Sequence, residues 1–151
     1  MTTLPTPLAN AVAAVRRRVR TRRAIEAGTL FGIVALAAAA ITVASVKTHV
    51  LEPDAGMTWL LVCAALPFVG ALLGALRRVP PLHAAQLLDR AHSLDSRVAS
   101  ALEFANLPDA ERSPFMDAAI ADAGTRGANL DPARAMPLRV PQDWPFGLAL
   151  L

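Results

Sequence analysis

Two uninterrupted apolar runs limit what this chain can fold into. Residues 27–46 read AGTLFGIVALAAAAITVASV and residues 55–76 read AGMTWLLVCAALPFVGALLGAL, and neither run contains a charged side chain. An α-helix rises about 1.5 Å per residue, so roughly 20 apolar residues cross a hydrocarbon core of about 30 Å. A helix also satisfies its own backbone hydrogen bonds, which a segment in lipid must do. The sequence therefore predicts an all-α membrane protein. Its parts are a two-helix transmembrane hairpin, 27–46 and 55–76, and a small cytoplasmic helical segment.

The arginines orient the hairpin. Arg16, Arg17, Arg18, Arg20, Arg22 and Arg23 precede the first run, and Arg77 and Arg78 follow the second. The link between them, KTHVLEPD at 47–54, has only Lys47. Positive charge near helix ends stays on the cytoplasmic side. This predicts a cytoplasmic N-terminus, residues 47–54 outside, and residues 77–143 cytoplasmic. Glu52-Pro53-Asp54 reads as a helix stop followed by a turn. Fourteen arginines against one lysine, with abundant alanine and proline, fit a GC-rich bacterial genome and hence a bacterial inner membrane. An export signal is the rival reading of the same arginines. The first run is longer than a signal core, however, and a second span follows at once.

Small residues recur within the runs. Gly28 and Gly32 share a face with Ala35 and Ala39, while Gly70 and Gly74 share one with Cys63 and Pro67. Small side chains let helix backbones approach, and packing drives association in lipid. Two uses stay open: packing of the hairpin on itself, which is favoured, or a homodimer interface. Pro67 predicts a kink and a carbonyl without its usual donor one turn earlier. Cys63, the single cysteine, reads as a small interface residue. Transporters need ionisable groups at depth, and their absence from both runs argues against a self-contained transporter.

Residues 1–26 read as a basic juxtamembrane arm. Leu8, Val12, Val15 and Val19 recur at helical spacing, with arginine over much of the remaining surface. This predicts an amphipathic helix lying on the anionic inner leaflet. Arg16, Arg17, Arg18, Arg20, Arg22 and Arg23 would be the lipid contacts, at roughly 1 kcal/mol each. No aromatic residue interleaves the arginines and no reading motif is present, so no nucleic acid is expected.

After Pro80-Pro81 the segment 77–128 predicts three helices, at 82–92, 96–106 and 114–126. Asp95 is the expected cap of the second. Ser113 caps the third, Pro114 is its first residue, and Gly124 and Gly127 end it. The expected core is Leu82, Leu87, Leu88, Leu94, Val98, Leu102, Phe104, Leu107, Phe115, Met116 and Ile120. That set is thin for an independent domain, so partner helices or the membrane surface are expected to complete it. Residues 129–143 read as a proline-rich extended linker.

No reactive constellation emerges. His83, Asp89 and His92 on one helix are separated by about 240° and 180° of rotation and do not converge on a metal. Asp117 and Asp122 diverge likewise. Asp89, Arg90, Asp95, Arg97 and Glu103 read as surface charges forming weak ion pairs. No nucleophile–base set, phosphate loop or zinc-protease motif is present. The expectation is no catalytic residue, no cofactor and no metal.

The last residues, WPFGLALL at 144–151, read as the start of a third apolar run with Trp144 at its boundary. Eight residues cannot span a bilayer, so the chain is expected to be a piece of a longer one. LLDRAHSLDSRVASALEF, then ERSPFMDAAIADA, then AMPLRVP before an apolar start, resembles the N-terminal region of large bacterial multi-pass membrane proteins of unassigned function. The likeness covers roughly residues 12–151. It implies two spans, this helical segment, a third span and a coiled-coil region, and it carries over no site residues. The functional expectation is a non-enzymatic inner-membrane anchor or assembly protein whose cytoplasmic helices dock a protein partner or self-associate. The alternatives are a membrane sensor or regulator, or a subunit of a transporter or channel.

Overall fold

The computed structural model describes residues 4–127 and 129–137. Among these residues the chain forms helices and turns with no strand. The helices are α1 (Thr6–Lys47), α2 (Pro53–Leu76), α3 (Pro81–His92), α4 (Arg97–Asn106), α5 (Pro114–Gly127) and the single turn α6 (Pro132–Ala135), with a 3-10 turn at Asp109–Glu111. The chain divides into two compact units. One joins its start, up to Val19, to the segment from Arg78; the other runs from Arg20 to Arg77.

Helix α1 is 42 residues long and contributes to both units. The helix runs unbroken through residue 26, where the sequence places the junction of arm and first span, and the division of the two units falls between Val19 and Arg20. No proline occurs between Pro7 and Pro53, and Ala, Leu and Arg are strong helix formers, so nothing interrupts the ladder over about 60 Å. It ends where His49 takes a left-handed φ of 59°. The N–H groups of Val50 and Leu51 both return to the Ser45 carbonyl, at 3.0 and 3.2 Å. Pro53 is not a stop but the first residue of α2, after an extended Glu52. Its fixed φ suits that position, and its missing N–H has no helical acceptor to lose there.

In the second unit, α1 and α2 are each long and apolar enough to cross a membrane. Only 6% of the most apolar stretch of α1 and 17% of that of α2 is buried, unlike the core helix of a soluble fold. Leu30, Val34, Ile41, Leu61, Phe68 and Leu72 all expose more than half of their surface. The hydroxyls are internally satisfied. Thr29, Thr42, Ser45 and Thr58 each donate to a carbonyl four residues earlier, at 2.8 to 3.1 Å. An apolar environment can therefore surround them without leaving a donor unmade.

The first unit corrects the reading of the arm. Leu8, Val12, Val15 and Val19, expected to rest on lipid, are buried in one cluster with Val79, Leu88, Val98, Leu102 and Ile120. The stripe is amphipathic as read, but its apolar partner is the chain's own helices. The thin core thus receives four large aliphatic side chains from α1, each worth about 1.5–3 kcal/mol if fully buried. Glycine makes the approach possible. A Cβ on Gly124 would stand 2.7 Å from Pro5 Cγ, and one on Gly127 would stand 3.1 Å from Leu8 Cβ. These glycines do close α5, and they are also the seat of the N-terminal segment.

Other local readings divide. Ser113 begins α5, its Oγ accepting from the Met116 N–H at 3.4 Å. Phe115, expected in the core, is 76% exposed, because α5 turns Ile120, Ala123, Gly124 and Gly127 inward instead. The linker is not extended throughout. Asp131 Oδ1 accepts from the Ala133 N–H at 2.8 Å and caps α6. Residues 138–151, which hold the end of the linker and the start of the expected third span, lie outside the described residues.

Candidate functional site: the hairpin seam and the capped helical packet

The seam between α1 and α2 is built on glycine. A Cβ on Gly74 would collide with the Arg23 carbonyl and stand 2.9 Å from Ala24 Cα. On Gly70 it would lie 2.6 Å from Phe31 Cγ and 2.8 Å from the Ala27 carbonyl oxygen. Gly28 faces Ala71 and the Pro67 carbonyl less tightly, at 3.3 and 3.4 Å, and Gly32 has only Pro67 Cγ at 3.9 Å. Gly28, Gly70 and Gly74 therefore hold backbones close within one hairpin, while Gly32 marks where the helices begin to part. At the turn, Gly56 closes the seam again: a Cβ there would meet Val46 Cγ2 at 2.5 Å. Gly56 has no second glycine at helical spacing, so no sequence pattern marks it.

Where the helices part, a cleft of about 490 Å3 opens. Its lining includes Gly32, Ala35, Ala39, Cys63, Ala64 and Pro67, with Thr29 the only hydroxyl. Pro67 lies inside α2, where its missing N–H deprives the Cys63 carbonyl of the usual helical donor. Cys63 itself is 5% exposed.

The six arginines of the arm do not share one environment. Arg16 Nε donates to the Val79 carbonyl at 3.0 Å, tying α1 to the strap before α3. Arg22 pairs with Glu26 at 2.6 Å. Arg17 and Arg20 are exposed, and Arg18 and Arg23 are half-buried. Arg16 thus has a structural bond inside the first unit, which sequence spacing gave no reason to expect.

In the helical packet, Asp89 is 5% exposed and not a surface charge. Its two oxygens accept from the N–H groups of Val98 and Ala99, both at 2.9 Å. This carboxylate, lent by α3, caps α4 and faces the positive end of its dipole. Asp95, the expected cap, is exposed and sits at φ 49° in a connector where Ser93 and Ser96 are also left-handed. The tight connector brings Asp89 onto the α4 terminus, and no local sequence signal announces it.

His83, Asp89 and His92 have three separate fates. His83 is exposed, and Asp89 is engaged at α4. His92 Nδ1 lies 3.1 Å from the Leu88 carbonyl, and its Nε2 accepts from the Asp131 N–H at 3.1 Å. That pairing fits the tautomer protonated on Nδ1, and it fastens α6 to α3. Among the described residues no three His, Cys, Asp or Glu side chains are grouped to hold a metal. Asp122 lies between Arg97, at 3.4 Å, and Arg126, at 3.2 Å, on an exposed face. Asp117 instead faces the Arg112 guanidinium, which also pairs with Asp109. The Arg112 side chain is only 3% exposed, so this cluster pins the connection between α4 and α5.

No family model, no curated protein and no solved structure matches this chain.

Proposed function

We propose that this chain is a non-enzymatic anchor or assembly module of a bacterial inner membrane. α1 and α2 cross the bilayer as a hairpin, with residues 47–54 outside and both flanks in the cytoplasm. One observation carries this reading: Leu8, Val12, Val15 and Val19, from before the first apolar run, share a core with Val79, Leu88 and Val98, from after the second. Flanks that form one core lie on one side of the membrane, and two spans between them meet that requirement. The arginine bias then selects the cytoplasmic side. The exposed apolar belt of the hairpin supplies the lipid-facing surface.

The non-enzymatic part is supported by the structural use of Asp89 and by the ion pairs of Arg112. Asp89 holds the start of α4, and Arg112 holds Asp109 and Asp117, so both serve the packing of the helices. The partner-facing element in this reading is the first turn of α5. Phe115 is the one large apolar side chain left exposed among the described residues of the first unit. Aromatic residues, phenylalanine among them, are enriched at protein interfaces relative to the rest of the surface. Arg20 and Arg23, at the cytoplasmic end of the hairpin, contact anionic headgroups.

The test is a photoreactive amino acid at Phe115 in intact bacterial membranes, with cysteine labelling at His49 to report sidedness. The reading predicts a discrete adduct, either of twice the chain's mass or with one defined partner, and labelling of position 49 from the outside only. Absence of any adduct, or labelling from the cytoplasmic side, contradicts it.

A further inference from the structure

The seam of the hairpin opens between two pinches. Clearance grows from the arginine end: a Cβ collides at Gly74, meets Phe31 at 2.6 Å at Gly70, has 3.3 Å at Gly28 and 3.9 Å at Gly32. It closes again at Gly56 against Val46. The cleft of about 490 Å3 lies between, walled by Ala35, Ala39, Cys63 and Ala64. We propose that this cleft holds one acyl chain of an anionic phospholipid whose headgroup lies at Arg20, Arg23 and Arg77, an assignment that rests on the hairpin being membrane-embedded.

Three observations select this occupant. The first is polarity. The only hydroxyl in the lining, on Thr29, already donates to the Ile25 carbonyl at 2.8 Å, so the wall offers a ligand no side-chain donor stronger than the Cys63 thiol. The second is shape. The volume lies within the roughly 300–1,000 Å3 of small-molecule sites. Pinched at both ends of the seam, the cleft suits a single hydrocarbon chain, which makes its contacts at about 3.5–4.0 Å, better than a helix about 10–12 Å across.

The third is charge. Arg20, Arg22, Arg23 and Arg77 gather at one end of the unit, where the sole acid, Glu26, is bonded to Arg22. The other end carries Glu52 and Asp54 beside Lys47. A phosphate is complementary to the arginine end alone. The cleft begins at Thr29, about 9 Å along the helix from Arg23, which is comparable to the roughly 5–8 Å interfacial depth of one leaflet.

The full chain, released from nanodiscs of equal phosphatidylglycerol and phosphatidylcholine, is analysed by native mass spectrometry. One retained phosphatidylglycerol per chain is expected, preferred by about fivefold for each contacting arginine. Ala64→Phe and Ala35→Leu, each filling the cleft, should abolish retention while circular dichroism stays unchanged. Arg23→Gln with Arg77→Gln should keep one bound lipid but remove the preference. No retained lipid, retention indifferent to both filling variants, or a dimer that the filling variants dissociate would overturn the proposal, the last by making a second copy the occupant. A chain that does not enter nanodiscs at all would instead defeat the membrane reading beneath it.

Discussion

Gly127 of α5 lies under Leu8 of α1: a Cβ at 127 would stand 3.1 Å from the Leu8 Cβ and 3.2 Å from its backbone. Between those positions in sequence run both apolar helices of the hairpin. The contact therefore joins the two ends of the chain that the hairpin separates, and it is the basis of the first prediction. Gly127→Leu and Gly124→Leu should each destabilise the first unit by about 1–3 kcal/mol, since a side chain at either position displaces Pro5 or the Leu8 segment from its seat. Hydrogen exchange of α3–α5 in detergent micelles checks this, with faster exchange expected in both variants.

Truncation of the N-terminal stripe should act on the same core from the other side. Leu8 is fully buried, so Leu8→Ala is expected to cost about 2–5 kcal/mol. Ile41, 68% exposed in the same helix, should tolerate Ala within about 0.5 kcal/mol on the same scale. Chemical unfolding followed by circular dichroism distinguishes them. Equal effects would mean that the stripe is not in a protein core.

Asp89 and Asp95 exchange the roles that the sequence suggests for them. Asp89→Ala removes both acceptors from the Val98 and Ala99 N–H groups in a buried site and should cost about 1–3 kcal/mol. Asp95→Asn keeps a residue that tolerates the left-handed backbone and should be nearly neutral. Thermal melts of the two variants decide which carboxylate holds α4.

The hairpin glycines should rank by clearance. Gly74→Ala and Gly70→Ala force the backbones apart, because the nearest atoms are a carbonyl and the root of Phe31. Gly32→Ala places its methyl in ordinary contact with Pro67, at 3.9 Å. The first two should lower the denaturation temperature in detergent, and the third should leave it unchanged.

Much of this architecture is written in local pattern. The length and charge-free character of the two runs produce α1 and α2, and Ser113-Pro114 starts α5 at the expected residue. What is missing from local pattern is partnership. Leu8, Val12, Val15 and Val19 among arginines look the same whether the apolar face meets lipid or protein, and only the distant packing of α3 to α5 decides. Asp89 has the appearance of a surface acid because its acceptors serve a helix that starts eight residues later, across a left-handed connector. Nothing between Arg23 and Ala27 breaks a helix, so α1 runs straight through the change in charge that the sequence alone marks as the junction of arm and span. Of the candidate site, the glycine faces follow from spacing, whereas the cleft at Ala35 and Ala64 comes from how far the two helices diverge.

The segments before and after the hairpin share one core, which in the proposed topology lies on one side of the membrane. The most direct test replaces Cys63 with Ala, introduces Leu8→Cys with Gly127→Cys, and oxidises intact membranes. The two Cβ positions, 3.1 Å apart, lie just inside the roughly 3.5–4.5 Å of a disulfide, so the pair bridges once the two segments ease apart by a few tenths of an ångström. A disulfide within one chain is expected, seen as a reducible, faster-migrating species. Free thiols alone, or disulfides only between two chains, would contradict it.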